Sequence, residues 1–140
     1  MSRIPKVLGV CGVASALIGC AAPAVQSCAP GYGRPVLVFD LYFGEAISGR
    51  GDLTGAEWRQ FIDDTIAVNL PDGFTVFDAG GAWMNPVTQR ATREATKVLL
   101  AALPDDPASL EAVNRIRSAY QIRFRQQLVG MTVGHACGSF

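Results

Sequence analysis

Arg90-Ala-Thr-Arg-Glu-Ala-Thr-Lys-Val-Leu-Leu-Ala-Ala-Leu103 is the stretch that decides how this chain folds. Taken singly, Ala, Arg, Glu, Lys and Leu favour helix, yet Thr96-Lys-Val-Leu-Leu100 has the character of a buried strand. The segments on either side settle the choice. Val36-Leu-Val-Phe-Asp-Leu-Tyr-Phe43, ending at Gly44, is rich in branched and aromatic residues and reads as a strand. One of its faces carries Leu37, Phe39, Leu41 and Phe43, the other Val36, Val38, Asp40 and Tyr42. Glu45 to Asp52, with Gly49, Arg50 and Gly51, reads as a flexible loop. In Leu53-Thr-Gly-Ala-Glu-Trp58, Thr54 and Glu57 form a capping box while Leu53 and Trp58 form a hydrophobic staple, so a helix starts there. Trp58, Phe61, Ile62, Thr65 and Ile66 share one face of it, and Pro71-Asp72-Gly73 ends it. Phe74-Thr-Val-Phe-Asp78 is a second strand, followed by Gly80-Gly81 as a turn or bulge and by a possible continuation at Ala82-Trp83-Met84.

Beyond the deciding stretch, Pro104-Asp-Asp-Pro107 starts a helix with Asp106 as N-cap and Pro107 at the first helical position. Leu110, Val113, Ile116 or Arg117, Tyr120 and Phe124 follow at three- and four-residue steps, and the pattern predicts a helix to about Gln127. Leu128-Val-Gly-Met-Thr-Val133 is a last strand. With Arg90–Leu103 as a strand the order becomes βαββαβ, which predicts an α+β ferredoxin-like sandwich with a four-stranded antiparallel sheet and two helices on one face.

Composition narrows the function classes. The 140 residues carry 12 Lys+Arg and 12 Asp+Glu, so no basic face is available for a phosphate backbone, and no nucleic-acid partner is expected. At 49% hydrophobic residues the chain has enough apolar material for one core, hence one domain, placed at 36–140.

Ahead of that domain, Met1-Ser-Arg-Ile-Pro-Lys6 carries two cations, and an uncharged run follows from Val7 to Gly19. This is the shape of an export signal over residues 1–19, too short and too glycine-rich for a spanning helix. Leu17-Ile18-Gly19-Cys20 resembles the lipobox of bacterial lipoproteins, which implies cleavage before Cys20 and lipidation of that cysteine. The membrane is then a partner through the lipid, and residues 20–35, rich in Ala, Pro and Gly, form a tether. Ala21 after the cysteine, where Asp is absent, implies by the same resemblance the periplasmic side of an outer membrane. The alternative is a secreted soluble protein cut at Ala22-Pro23-Ala24.

With Cys11 in the signal and Cys20 lipidated, Cys28 and Cys137 remain as a possible disulfide in an oxidising compartment, against the alternative of two free thiols. In the expected fold the first and last strands are antiparallel neighbours, which brings these two cysteines together. Two cysteines and the distant His135 are too few for a zinc site, and no metal or cofactor is expected.

Leu41-Tyr-Phe-Gly44, Leu53-Thr-x-x-Glu-Trp58, Pro71-Asp-Gly-x-Thr-Val76 and Gly81-x-Trp83 together resemble the bacterial family catalogued as domain of unknown function 3574. Glu94-Ala-Thr-Lys-Val98, Tyr120-x-x-Arg-Phe124 and the ending Cys137-Gly-Ser-Phe140 continue the match, from about Pro35 to Phe140. Ala95 and Gly138 stand where more polar or more varied residues are expected. The resemblance implies an exported, often lipid-anchored single domain and lends no activity.

Four side chains are candidates for chemistry. Asp40 lies inside an apolar strand, where a carboxylate needs a partner or a proton, and Tyr42 shares its parity. Glu94 and Lys97 are the polar groups of the deciding stretch, but their three-residue spacing turns them to opposite faces of a strand. Arg115, Arg117, Arg123 and Arg125 can bind an anionic headgroup or glycan, or simply solvate a helix face. Lone His135, beside Cys137, is expected to pack or be exposed and not to act as a base, and neither a phosphate loop nor a nucleophile elbow is present. The sheet face without helices, with Val36, Val38, Tyr42, Phe77 and Val133, is too apolar to leave bare. Two functions follow: an envelope binding module, including a homodimer through that face, or a small enzyme or ligand-binding homodimer with a pocket on it.

Overall fold

The computed structural model describes residues 27–140; the expected signal, Cys20 and the first part of the tether lie outside them. Four strands, β1 (Arg34–Gly44), β2 (Thr75–Met84), β3 (Ala91–Pro104) and β4 (Gly130–Gly138), form one antiparallel sheet in the order β2-β3-β1-β4. The helical segment α1 runs through Gly55–Phe61, Ile62–Ile66 and Ala67–Asn69, and α2 is Pro107–Phe124. This is the predicted βαββαβ sandwich, and Arg90–Leu103 is indeed strand.

The reason lies in its neighbours. β3 sits between β2 and β1 with Leu99, Ala101 and Leu103 buried toward the helices and Val98 buried on the opposite face. A segment apolar on both faces suits a central strand better than a two-faced surface helix. Leu41 pairs with Leu99 and Phe39 with Ala101, so the two central strands present one continuous apolar layer to the helices.

That layer meets an aromatic cluster. Phe43 lies 4.8 Å from Tyr120 and 5.4 Å from Trp58 between ring centroids, and Phe61 contacts Tyr120 at 5.3 Å and Phe124 at 5.7 Å. The capping box is formed as read, since Thr54 accepts from the Glu57 amide and Glu57 accepts from the Thr54 amide. Arg50 adds a two-pronged ion pair to Glu57, and these bonds hold the Glu57 carboxyl down at about 2, from an ordinary 4.5. A carboxyl that titrates lower in the folded chain than in the unfolded one contributes stability that is complete above the ordinary value and is lost as pH falls toward 2. Glu57→Gln is therefore expected to flatten the acid limb of the stability curve below about pH 4.5, and Thr54→Ala to cost about 1 kcal/mol. Urea unfolding at stepped pH checks both.

Several boundaries differ from the sequence reading. The middle of α1, Ile62–Ile66, is a π turn, with the Ala67 amide bonded to the Ile62 carbonyl. Phe61 and Ile66 are both fully buried, and five residues of regular helix would leave them about 140° apart; the wider turn brings them to one side. Gly80-Gly81 is neither turn nor bulge: β2 continues through it to Met84, paired to β3 as far as Ala91. α2 stops at Phe124 because Arg125 takes a left-handed conformation (φ 52°), and the Gln126 amide bonds back to the Gln121 carbonyl.

β4 begins later than Leu128 and extends to Gly138, its far half held against Arg34–Val38 of β1. Val133 pairs with Phe39 and so belongs to the helix-bearing side, not to the open face. The Glu45–Asp52 loop is tied down by an Ala46–Asp52 bridge, the Leu53 amide bonded to the Glu45 carbonyl, and Ile47 buried beneath it. Cys28 and Cys137 form a disulfide with Cα atoms 5.8 Å apart, next to the β1–β4 pairing that was expected to join them.

Candidate functional site

The four sequence candidates do not converge. Asp40 and Tyr42 stand on the open face, where Asp40 accepts a 3.3 Å hydrogen bond from the Thr132 hydroxyl. Tyr42 packs over Gly130, whose missing side chain leaves room for the ring. Of five of the best-formed clefts on the described surface, none is lined by either residue.

Lys97 points to the helix side, where it is mostly buried between Glu45, 3.5 Å away, and Asp78. The bond to Asp78, then the charge of Glu45, raise its pKa against the opposing effect of burial, so it remains a cation locked into the fold. Glu94 lies on the opposite side of β3, half-buried at the end of the sheet, as the three-residue spacing required. Its carboxylate occupies the space that a side chain at Gly44 would fill, and its one hydrogen bond is from the Ala46 amide at 3.4 Å. Tyr120, fully buried, donates to the Gly44 carbonyl at 2.9 Å. Burial, and then the carboxylates of Glu45, Glu94 and Glu57, push its pKa far up and keep it a neutral donor.

Of the four arginines on α2 and its C-cap, Arg115, Arg123 and Arg125 are exposed, yet most of the set is engaged with neighbouring elements. Arg115 donates to Asn69 at 2.8 Å and Arg123 grips Asp64 at 2.8 and 2.9 Å, both tying α2 to α1. Arg117 donates twice to the Val129 carbonyl, which fixes the chain just before β4. Of the four side chains, that of Arg125 alone makes no hydrogen bond or ion pair among the described residues. His135 Nδ1 lies 3.2 Å from Asp105, both side chains half-exposed.

Arg125 stands between two hollows at the end of the molecule where β1 finishes. The smaller, about 390 Å³, is lined by Gln60 and by Arg50, Glu57 and Arg123, the last three already engaged with one another or with Asp64. The larger, about 820 Å³, is a groove between the Ala46–Ser48 loop, Trp83, Glu94 and the Arg125–Leu128 turn. No group of three or more His, Cys, Asp or Glu able to hold a metal occurs among the described residues. Sequence reasoning missed the groove because its walls come from four separate segments, although the exposed Trp83 was a usable signal. A non-glycine residue in the left-handed conformation carries a conformational cost, so Arg125→Gly is expected to raise stability by about 0.5 kcal/mol, as read from thermal unfolding.

The family model described as "Protein of unknown function (DUF3574)" matches residues 39–140. The chain belongs to this family. The matched span contains every element of the DUF3574 domain except the first five residues of β1. No curated protein matches the chain. Among solved structures, a phage SAM lyase in complex with S-methyl-5'-thioadenosine has 10% sequence identity, covers 81% of this chain and 87% of its own, and superposes with a TM-score of 0.54. The same kind of enzyme in its apo state has 11% identity, covers 83% and 98%, and gives a TM-score of 0.48. At these identities the likeness is one of fold, and the DUF3574 protein shares the α+β sandwich of that lyase. No helix among its described residues is long and apolar enough to cross a membrane, and the Cys28–Cys137 disulfide is consistent with export.

Proposed function

We propose that this protein is a lipid-anchored binding module of the cell envelope, held by Cys20 at the periplasmic side of an outer membrane, whose uncovered sheet face packs against a second copy. The observation that carries the reading is the composition of that face. Tyr42, Phe77 and Leu100 are 40%, 48% and 38% exposed and surround Val98, with Val36, Val38 and Ala102 on the same side. Asp40 is the one charge at its centre, already hydrogen-bonded to Thr132.

Both helices lie on the other side; one end of the face is closed at Val36, which is buried beside the Phe140 ring at Gly138, while the part around Tyr42, Phe77 and Leu100 is left exposed. Eleven residues of β1 and four strands about 4.8 Å apart offer roughly 650 Å² per copy. A pair would bury about 1,300 Å², within the range of specific interfaces. The flatness of the face favours association over an enzyme pocket, since Asp40 and Tyr42 line none of the clefts described above. The lipobox-like Leu17–Cys20 and a disulfide eight residues beyond Cys20 support the compartment.

Intact mass of the native chain from its membrane fraction tests the anchor: the expected mass is residues 20–140 plus acyl chains, and an unlipidated chain contradicts it. Sedimentation of the detergent-solubilised protein tests the pairing. Wild type is expected to sediment as a dimer and Leu100→Arg, a charge placed on a half-exposed site of the face, as a monomer. A monomeric wild type contradicts the pairing.

A further inference from the structure

Around the end of the molecule where β1 finishes, most charges are matched in pairs: Arg50 with Glu57, Arg123 with Asp64, Lys97 with Glu45 and Asp78. Among those with no such match are Glu94 and Arg125. Neither has an ionic partner among the described residues, and both line the same groove of about 820 Å³. They have opposite signs and form no ion pair with each other.

The fold holds the Glu94 carboxylate and the backbone of Arg125 in place. Gly44 leaves the seat that the Glu94 carboxylate fills, and the only donor bonded to it is the Ala46 amide, at a long 3.4 Å. Arg125 sits in a left-handed turn that glycine would occupy without cost, and Gln126 pins this turn by donating to the Ala46 carbonyl at 2.7 Å. The chain thus fixes a carboxylate on one wall of the groove and, on another, the backbone turn that carries an exposed guanidinium. Trp83, 51% exposed, supplies a flat apolar wall beside them.

We infer that this groove binds a small zwitterion with an apolar body, its carboxylate on the Arg125 guanidinium, its ammonium at Glu94 and its side chain against Trp83. Guanidinium and carboxylate match each other in a two-pronged geometry, and a partly desolvated carboxylate with a single weak donor gains most from an ammonium. The volume suits a molecule larger than one amino acid, which points to a short peptide with free termini.

Tryptophan fluorescence of the full chain is the test, because Trp58 is buried in the core and Trp83 is the tryptophan that a ligand can reach. The probes are the tripeptide Ala-Phe-Ala, its N-acetylated and C-amidated forms, and free phenylalanine. A saturable response to Ala-Phe-Ala is expected, weakened about tenfold or more by either cap and by Glu94→Gln or Arg125→Asn, the latter chosen because Asn tolerates the left-handed turn. A tighter response to free phenylalanine than to the tripeptide would keep the site and assign it to amino acids instead of peptides. Three results would each overturn the proposal: no saturable response to either zwitterion up to about 10 mM, equal binding of the capped forms, or binding indifferent to both substitutions. The capped peptides act on the unaltered protein, so the test stands even where a variant fails to fold.

Discussion

Reduction of the Cys28–Cys137 bridge lowers the unfolding free energy by about 4 to 5 kcal/mol at 25 °C in the chain-entropy account, because the bond closes a span of 109 residues. Both cysteines lie near the ends of the folded region, so the link restrains almost the whole domain in its unfolded state. The native contribution is smaller, since β1 and β4 already hold their ends together through the pairing of Pro35 with Cys137 and Arg34 with Gly138. The bond therefore acts mainly on the unfolded chain. Urea unfolding of the oxidised protein against the Cys28→Ser/Cys137→Ser variant measures this directly, and equal midpoints at equal slope would sink the account. For a domain of this size the loss is a large share of total stability.

Phe43→Ala is the second large effect, with an expected cost of about 3 to 5 kcal/mol. Phe43 has no exposed surface and its ring meets Trp58, Phe61 and Tyr120 at 5.4, 6.3 and 4.8 Å. It stands at the point where β1, α1 and α2 come together, so its removal opens a cavity bounded by three elements that cannot all close on it. Tyr120→Phe in the same cluster is the matched control: it removes only the hydroxyl bonded to the Gly44 carbonyl and is expected to cost about 1 kcal/mol. Equal costs for the two would show that the cluster is held by its hydrogen bond and not by packing.

The parts of the fold legible in the sequence were those in which local chemistry and tertiary contact agree. Thr54 with Glu57, and Asp106 with Pro107, mark helix starts by satisfying orphan amides with nearby side chains, and both caps are formed. The βαββαβ order rested on one segment whose local preference opposed its environment, and the order of its neighbours was enough to decide it. Boundaries set by long-range pairing were not legible. Gly134-His-Ala-Cys-Gly138 has little strand character of its own and is a strand because Arg34–Val38 lies beside it. The end of α2 was missed because the residue in the left-handed position is Arg125 and not glycine.

The same division holds for the candidate sites. Strand parity correctly put Asp40 and Tyr42 on one face and Glu94 and Lys97 on opposite ones. It put Val133 on the wrong face, since β4 is offset so that Gly130 and not Met131 stands opposite Tyr42. A shift of one residue turns every side chain over. The groove at the end of β1 depends on two connections meeting the ends of β2 and β3, and no periodicity encodes that.

The central claim, that the open sheet face is a contact surface between two copies, is tested most directly by a photo-crosslinking side chain in place of Phe77, which is half-exposed on that face. In the native membrane the account predicts a light-dependent species of twice the monomer mass, with the linked peptides drawn from β1 or β3 of this same chain. A product that remains monomeric, or that links instead to lipid or to a different protein, would contradict it.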